Sequence, residues 1–286
     1  MSWLTAVEHL RTARLPGVMV TLTDVRGHAP RASGAKMVVS ADQTWDSIGG
    51  GNLEEVAVQE ARSLLARGET TPHSRSVALS DKAPYQHGVQ CCGGEVTMLL
   101  EPLPVVPSVA IFGCGHVGLE LARILSRHDL DLHLVDSRPE QLTAERLAPL
   151  DDAVARLQVH QVPVFPELVM GELPPGSHVL IMTHDHAEDA ALCDAALRTG
   201  DLASVGLIGS SAKWARFKHN LESEGGHDED TISRITTPIG LRDIVGKDPA
   251  SIAVSVAAAM LVVFESDASA TKTRSAQRLS PPGGSG

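Results

Sequence analysis

Six residues limit the architecture of this chain more than any others. Gly113-Cys114-Gly115-His116-Val117-Gly118 is a complete G-x-G-x-x-G, set between an apolar strand at residues 109–112 and a helix at residues 117–125. That placement gives the motif its weight. The first glycine permits a tight turn, the second lets backbone come close to a phosphate, and the third lets helix pack on strand. Free amides and the dipole at the helix start favour an anion. Apolar runs at residues 132–135, 179–182 and 205–208 follow, separated by helical segments. This alternation predicts a parallel, doubly wound sheet with right-handed crossovers. Ligands of such sheets bind beyond the carboxyl ends of the strands, in loops at residues 113–118, 136–138, 183–186 and 209–213. Asp136 lies 18 residues past Gly118, placed to accept from vicinal hydroxyls. The pattern suits a mononucleotide- or dinucleotide-like ligand; a turn that uses its glycines only for packing is the plainer alternative.

The residues ahead of this region are organised differently. Trp3, Val7, Leu10 and Leu15 fall near helical spacing, and strands are predicted at residues 17–22, 35–40, 76–79 and 95–100. Gly49-Gly50-Gly51-Asn52 leads into a helix through about residue 66, with Asn52 and Glu55 as a capping pair. The triple glycine offers flexible backbone followed by unsatisfied amides, a second anion-binding candidate beside its reading as a simple turn. The proline-rich joint at residues 102–107 marks a boundary. The fold class is therefore α/β: an N-terminal α+β domain (1–103), then a Rossmann-like doubly wound parallel-sheet domain (108–265). Residues 266–286 lack apolar periodicity, end in Pro and Gly, and read as a disordered tail.

Several side chains suggest chemistry. Gln90-Cys91-Cys92-Gly93-Gly94 sets thiols beside paired glycines, where nearby amides favour thiolate. A thiolate can ligate a soft metal, attack an electrophile or carry sulfane sulfur; two small buried cysteines before a strand is the bland alternative. Cys114 fits its turn and Cys193 packs in an Ala-rich helix. Thr183-His184-Asp185-His186 gathers two imidazoles and a carboxylate, which admits a structural metal, though ligand contact or helix capping by Asp185 suits the segment better. Gly209-Ser210-Ser211 with Lys213 is either an anion-holding helix start or a simple cap.

Composition excludes other classes. Lys plus Arg number 24 against 35 Asp plus Glu, a net charge of −11, which argues against nucleic acid as a partner. The longest apolar stretch, residues 251–264, is shorter than a membrane span needs, so no membrane is expected. It suits a core or a homodimer interface. The N-terminus lacks a secretory h-region. Four cysteines in a chain this long do not form a disulfide framework, so reduced thiols in a cytoplasmic protein are expected.

Taken together, the segments resemble the XdhC/CoxI family, most closely its members that serve as xanthine dehydrogenase accessory factors. The matching pieces are RGHAPRASGAKM (26–37), GGGNLE (49–54), QCCGG (90–94), FGCGHVG (112–118), VDSRP (135–139), THDH (183–186), GLIGSSAK (206–213), PIGL (238–241) and PASIAVSVA (249–257). They occur in family order across residues 5–264. The resemblance implies a molybdenum cofactor-binding chaperone, a carrier or maturation factor rather than a turnover enzyme. Such a protein shields the pterin-dithiolene (molybdopterin) cofactor, supports exchange of a terminal oxo for a sulfido ligand, and inserts the product into apo xanthine dehydrogenase. It implies a cysteine desulfurase and molybdenum cofactor biosynthesis proteins as partners. It also implies a transient molybdenum contact at Cys92, with Cys91 as its neighbour. Gly49, Gly50, Gly51, Asn52, Gln90, Gly93 and Gly94 would form one wall of the cofactor cleft. Gly113, Gly115, His116, Gly118, Asp136, His184, Asp185 and His186 would form the other. Three readings compete. An NAD(P)-dependent oxidoreductase would use the glycine motif and Asp136, although no Tyr-x-x-x-Lys pair accompanies the single tyrosine, Tyr85. A sulfur transferase would turn over a persulfide on Cys91 or Cys92, and a scaffold would keep only the fold.

Overall fold

Alternation decides the first half of the molecule. Val18, Val20 and Leu22 point to one side of a long strand and are fully buried, as period-2 spacing requires. The computed structural model describes residues 1–79 and 94–279. It divides into one unit of Met1–Val105 with the chain end from Ser266, and a second of Val106–Glu265.

The first unit runs α1 (Trp3–Ala13), β1 (Gly17–Arg26), β2 (Lys36–Val39), β3 (Thr44–Asp46), α2 (Gly51–Ala66), β4 (His73–Ala78) and β5 (Glu95–Leu103). Its strands form an antiparallel sheet ordered β3-β2-β1-β5-β4, with Val20 opposite Leu100 at its centre. Ser2 caps α1 by accepting from the Thr5 amide, and Arg14 ends it in the left-handed region. Ala6 and Leu10 of α1 pack on Val38, whereas Met37 and Val39 join the Leu53, Ala57, Ala61 and Leu64 stripe of α2. Each helix thus covers a different face of the sheet.

The second unit alternates as predicted: β6 (Ser108–Phe112), α3 (His116–Leu125), β7 (Asp131–Asp136), α4 (Ala144–Leu147), β8 (Arg156–Gln161), β9 (His178–Ile181), α5 (His186–Arg198), β10 (Ser204–Leu207), α6 (Ser211–Ser223), α7 (Glu229–Ile232), β11 (Ile235–Thr236) and α8 (Pro249–Leu279). Every pairing in its sheet is parallel. The order β11-β10-β9-β6-β7-β8 is the 3-2-1-4-5-6 arrangement of dinucleotide-binding folds, with its switch point between β6 and β9. Strands β3, β8 and β11 were not foreseen. They are three of the four sheet edges, short or half exposed, and carry little apolar signal.

Two expectations for the chain's end are corrected. The segment from Ser266, read as a disordered tail, is helical as far as Leu279. Its Ala, Lys, Arg and Gln residues are good helix formers, and no glycine or proline intervenes before Pro281. Because α8 starts at Pro249 and continues past Phe264, it is also long and apolar enough to cross a membrane by length and composition. Ala253, Val256, Ala257 and Met260 of that helix lie in the core of the second unit.

Candidate functional site

In the first unit the family segments meet on one stretch of backbone. A Cβ on Gly49 would collide with the Pro30 ring, and one on Gly94 would strike the carbonyl of His28 and come within 2.7 Å of that of Arg26. Residues 26–31 are therefore the surface on which the triple-glycine loop and the end of the Cys-Cys-Gly-Gly run both rest. Arg26, His28 and Arg31 are exposed there. Gln90, Cys91, Cys92 and Gly93 lie outside the described residues.

The triple glycine is not the open anion cradle that the sequence suggests. Gly49, Gly50 and Gly51 all adopt positive φ, which folds the loop's amides onto a single carboxylate oxygen. Glu54 Oε1 accepts from the amides of Ile48 (3.0 Å), Gly49 (3.2 Å) and Gly50 (2.8 Å), and from the Ser47 hydroxyl. The expected Asn52–Glu55 cap is likewise corrected. The helix starts two residues earlier, with Gly50 as N-cap and no side-chain cap bond, and Glu54 serves the loop from within the first turn.

Burial alone would raise the Glu54 pKa, but the Ser47 hydroxyl and the three amides outweigh it and hold it below the ordinary 4.5. A carboxylate depressed on folding stabilises above its unfolded pKa, and that contribution is lost as pH falls through the folded value. Thermal melts from pH 6 to pH 3 will therefore show a steeper acid loss for the wild-type chain than for Glu54→Gln. Parallel curves for the two proteins would refute this role.

At the second unit's strand ends, Gly113 turns at φ +102 with its backbone against Met182 and Thr183, and Gly118 sits on the Gly113 carbonyl with no space for a side chain. Asp136, 2% exposed, is not free for a ribose. Its carboxylate accepts from the Cys114 amide (2.7 Å), the Arg138 amide (2.9 Å), and Arg138 Nε and Nη2 (3.0 Å each). Burial works against its ionisation, but the Arg138 guanidinium and the two amides hold its pKa below the usual carboxylate value. An amide expected to cradle phosphate is thus committed internally. Sequence reasoning passed over Arg138 although VDSRP was in view; an arginine two residues after a strand-terminal aspartate was the available signal.

The loop after β9 spreads its ionisable groups rather than gathering them. Asp185 Oδ1 caps α5 by accepting from Ala187 (2.6 Å) and Glu188 (3.1 Å). His184 and His186 are exposed, and the His186 ring stands edge-on to Phe217. The metal reading fails: among the described residues no three His, Cys, Asp or Glu side chains form a metal-holding group. Beneath the loop, wholly buried Asp189 takes the Lys213 ammonium, and its Oδ1 accepts from the Thr183 amide (3.1 Å) and hydroxyl (2.8 Å). Lys213 is therefore not available to an anion, and Ser210 acts as an ordinary cap for α6. Glu188 accepts from the Ser137 hydroxyl at 2.8 Å. Since β7 and β9 flank β6, this bond spans the switch point. Burial, with Asp136 nearby, raises the Glu188 pKa. The Cys114 and Cys193 thiols are pushed up to about 12, chiefly by burial, and are unreactive packing groups.

Comparison with known proteins agrees with this two-unit layout. Residues 109–260 match the model of the XdhC Rossmann domain, and residues 10–76 match that of the XdhC and CoxI family. YqeB of Escherichia coli, an uncharacterized protein, is 28% identical over 264 residues, covering 92% of this chain and 46% of YqeB. The chain thus spans less than half the length of that relative. The molybdenum cofactor insertion chaperone PaoD of E. coli is 26% identical over 278 residues, covering 88% of this chain and 85% of PaoD. A solved structure from Bacillus halodurans, described as a xanthine dehydrogenase, aligns over 93% of this chain and 96% of its own at 20% identity, with a TM-score of 0.47. The sequence segments, the order of the two units and the matched models agree: the chain belongs to the XdhC/CoxI family.

Proposed function

We propose that this chain is a molybdenum-cofactor carrier that presents the cofactor for maturation of a molybdoenzyme. The observation that carries the reading is the packing of Gly49 and Gly94 on residues 26–31. It sets the end of the Cys-Cys-Gly-Gly run and the triple-glycine loop on one surface bearing Arg26, His28 and Arg31. Arg31, and Arg26 beside its Asp24 pair at 3.0 Å, offer positive charge where the Cys-Cys-Gly-Gly run ends, which suits a guest carrying a phosphate, and a thiolate from that run would suit a metal that accepts sulfur. Similarity to a molybdenum cofactor insertion chaperone points the same way.

The finer assignments belong to the same proposal. Cys92, with Cys91 beside it, is the transient molybdenum contact, and a cysteine desulfurase supplies sulfur. Apo xanthine dehydrogenase is the acceptor, with molybdenum cofactor biosynthesis proteins upstream, all in the cytoplasm. A carrier must hold its guest yet release it, so what matters is the difference in affinity between its free and acceptor-bound states. The NAD(P)-dependent oxidoreductase is the less supported reading, because Asp136 is already saturated by Arg138 and the Cys114 amide.

Protein purified from cells that make the cofactor tests this directly. In Cys92→Ala, co-purified molybdenum and pterin are expected to fall to background, and activation of apo xanthine dehydrogenase to be lost, with the circular dichroism spectrum unchanged. Retention and activation equal to wild type would remove the sulfur-ligand role.

A further inference from the structure

A strand that ends a sheet leaves half of its backbone groups facing outward, and proteins blunt such edges with shortness, lysine, proline or a bulge. Strands β11 and β3 are two and three residues long, and β4 carries polar His73, Ser74, Arg75 and Ser76. β8 has no such protection. It runs six residues, Arg-Leu-Gln-Val-His-Gln, without lysine, proline or glycine, in unbroken register with β7. The Arg156 amide donates to the Leu130 carbonyl (2.9 Å) and the Val162 amide to the Asp136 carbonyl (3.3 Å), both on the β7 side. A parallel ladder engages alternate residues. Arg156, Gln158 and His160 therefore spend their backbone groups on β7, while Leu157, Val159 and Gln161 turn theirs to the open side. Polarity along this edge is symmetric about Gln158. Residues 154–162 read Val-Ala-Arg-Leu-Gln-Val-His-Gln-Val, so Leu157 mirrors Val159, Arg156 mirrors His160, and Val154 mirrors Val162. An antiparallel copy centred on Gln158 thus sets these apolar residues against apolar ones and Arg156 against a polar one. It also makes Leu157 and Val159 the hydrogen-bonded pairs, and these are residues with outward backbone groups. A net charge of −11 opposes self-association over most of the surface, but residues 153–166 hold no Asp or Glu. Val154, Val164, Phe165 and Leu168, each 61–68% exposed, flank the edge with apolar surface. Phe165 keeps its ring there at φ 56, a costly conformation for a bulky residue.

We propose that β8 pairs with β8 of a second copy of this chain, antiparallel and centred on Gln158, joining two six-stranded sheets into one. A two-fold axis through the strand pair closes the contact, so assembly stops at two. The contact uses the sheet edge and not the apolar helix α8, whose Ala253, Val256, Ala257 and Met260 are committed to the unit's own core. Every strand of the sheet runs parallel to β8. The strand carboxyl ends of the two copies therefore face opposite ways, and each copy keeps its own crevice. The pairing is independent of the molybdenum reading and is tested on protein free of cofactor.

Sedimentation velocity of the full chain across a micromolar dilution series is the experiment. A species of twice the 30.2 kDa chain mass is expected. Val159→Lys, which places the missing edge lysine at both symmetric positions, should raise the dimer dissociation constant roughly 100-fold or more. Val159 is exposed enough for the fold to persist, and an unchanged circular dichroism spectrum checks this. A second variant reads the register directly. In a chain with Cys91 and Cys92 replaced by serine, Gln158→Cys puts two thiols opposite each other at a non-hydrogen-bonded pair, where Cα atoms lie about 4.5 Å apart and a disulfide can form. Mild oxidation should yield a covalent dimer on a non-reducing gel, and Gln161→Cys, opposite Ala155 of the second copy, should not. A wild-type chain that sediments as a single copy throughout the series would overturn the proposal. So would a dimer that Val159→Lys leaves unchanged, since its interface would then lie elsewhere.

Discussion

Lys213→Met will destabilise the second unit by about 3–5 kcal/mol, the usual loss when one member of a buried ion pair is removed and the other is stranded. Asp189 is wholly buried, and the Lys213 side chain is 12% exposed. The ammonium also donates to the Ile208 carbonyl at 3.2 Å and lies 5.2 Å from the Phe217 ring centroid. Methionine keeps the apolar stem, so the loss isolates the charge rather than the packing. Adding Asp189→Asn should recover part of it, because the stranded carboxylate is then neutral. Urea denaturation of the two single variants and the double variant measures the coupling. A single-variant loss under about 1 kcal/mol, the value of an exposed pair, would show that the pair is not buried in solution. The consequence reaches the strand ends, since Asp189 also holds Thr183 and with it the loop that carries His184 and His186.

Gly118→Ala is expected to cost about 3 kcal/mol or more, because the added methyl has no direction in which to move. Its obstacle is the Gly113 carbonyl, with the Ile111 side chain at 3.4 Å behind it. Backbone, unlike a flexible side chain, cannot step aside without unseating α3 from β6. Gly115→Ala is the control. Its φ of −68 is ordinary for alanine, and the nearest atom to the added carbon is Arg138 Nη2 at 3.8 Å, so a change within about 1 kcal/mol is expected. Paired thermal melts decide the matter: equal losses at 115 and 118 would mean that helix–strand approach does not constrain this turn.

Much of the fold was legible because it rests on local patterns. Residues 109–125 announce strand, glycine turn and helix in one continuous stretch, and the runs at 132, 179 and 205 are buried strands that carry their apolar signature openly. Three of the four edges were not legible. In β8 the pattern Arg-Leu-Gln-Val-His-Gln leaves Val159 47% exposed, so nothing in its composition separates it from a loop. The candidate site was harder still. Gly113, Asp136 and Lys213 stand out in the sequence as candidates, yet what each one does is set by a partner that sequence spacing does not reveal. Glu54 reaches back to its own loop, Asp136 reaches 22 residues to the Cys114 amide, and Asp189 finds Lys213 24 residues away. In each case an amide or ammonium that looked ready for an external anion was neutralised from inside. Such pairing follows from tertiary packing, where burying an unpaired charge or donor costs more than arranging a partner for it.

The sealed state of Cys114 and Cys193 has a practical side. With both sulfurs shut in the second unit, a maleimide or haloacetamide applied to the folded chain finds nothing to alkylate there until that unit opens. Of the chain's four cysteines, these two are silent in the folded state, so any label taken up by the native protein reports on the segment where sulfur chemistry is proposed and not on the second unit.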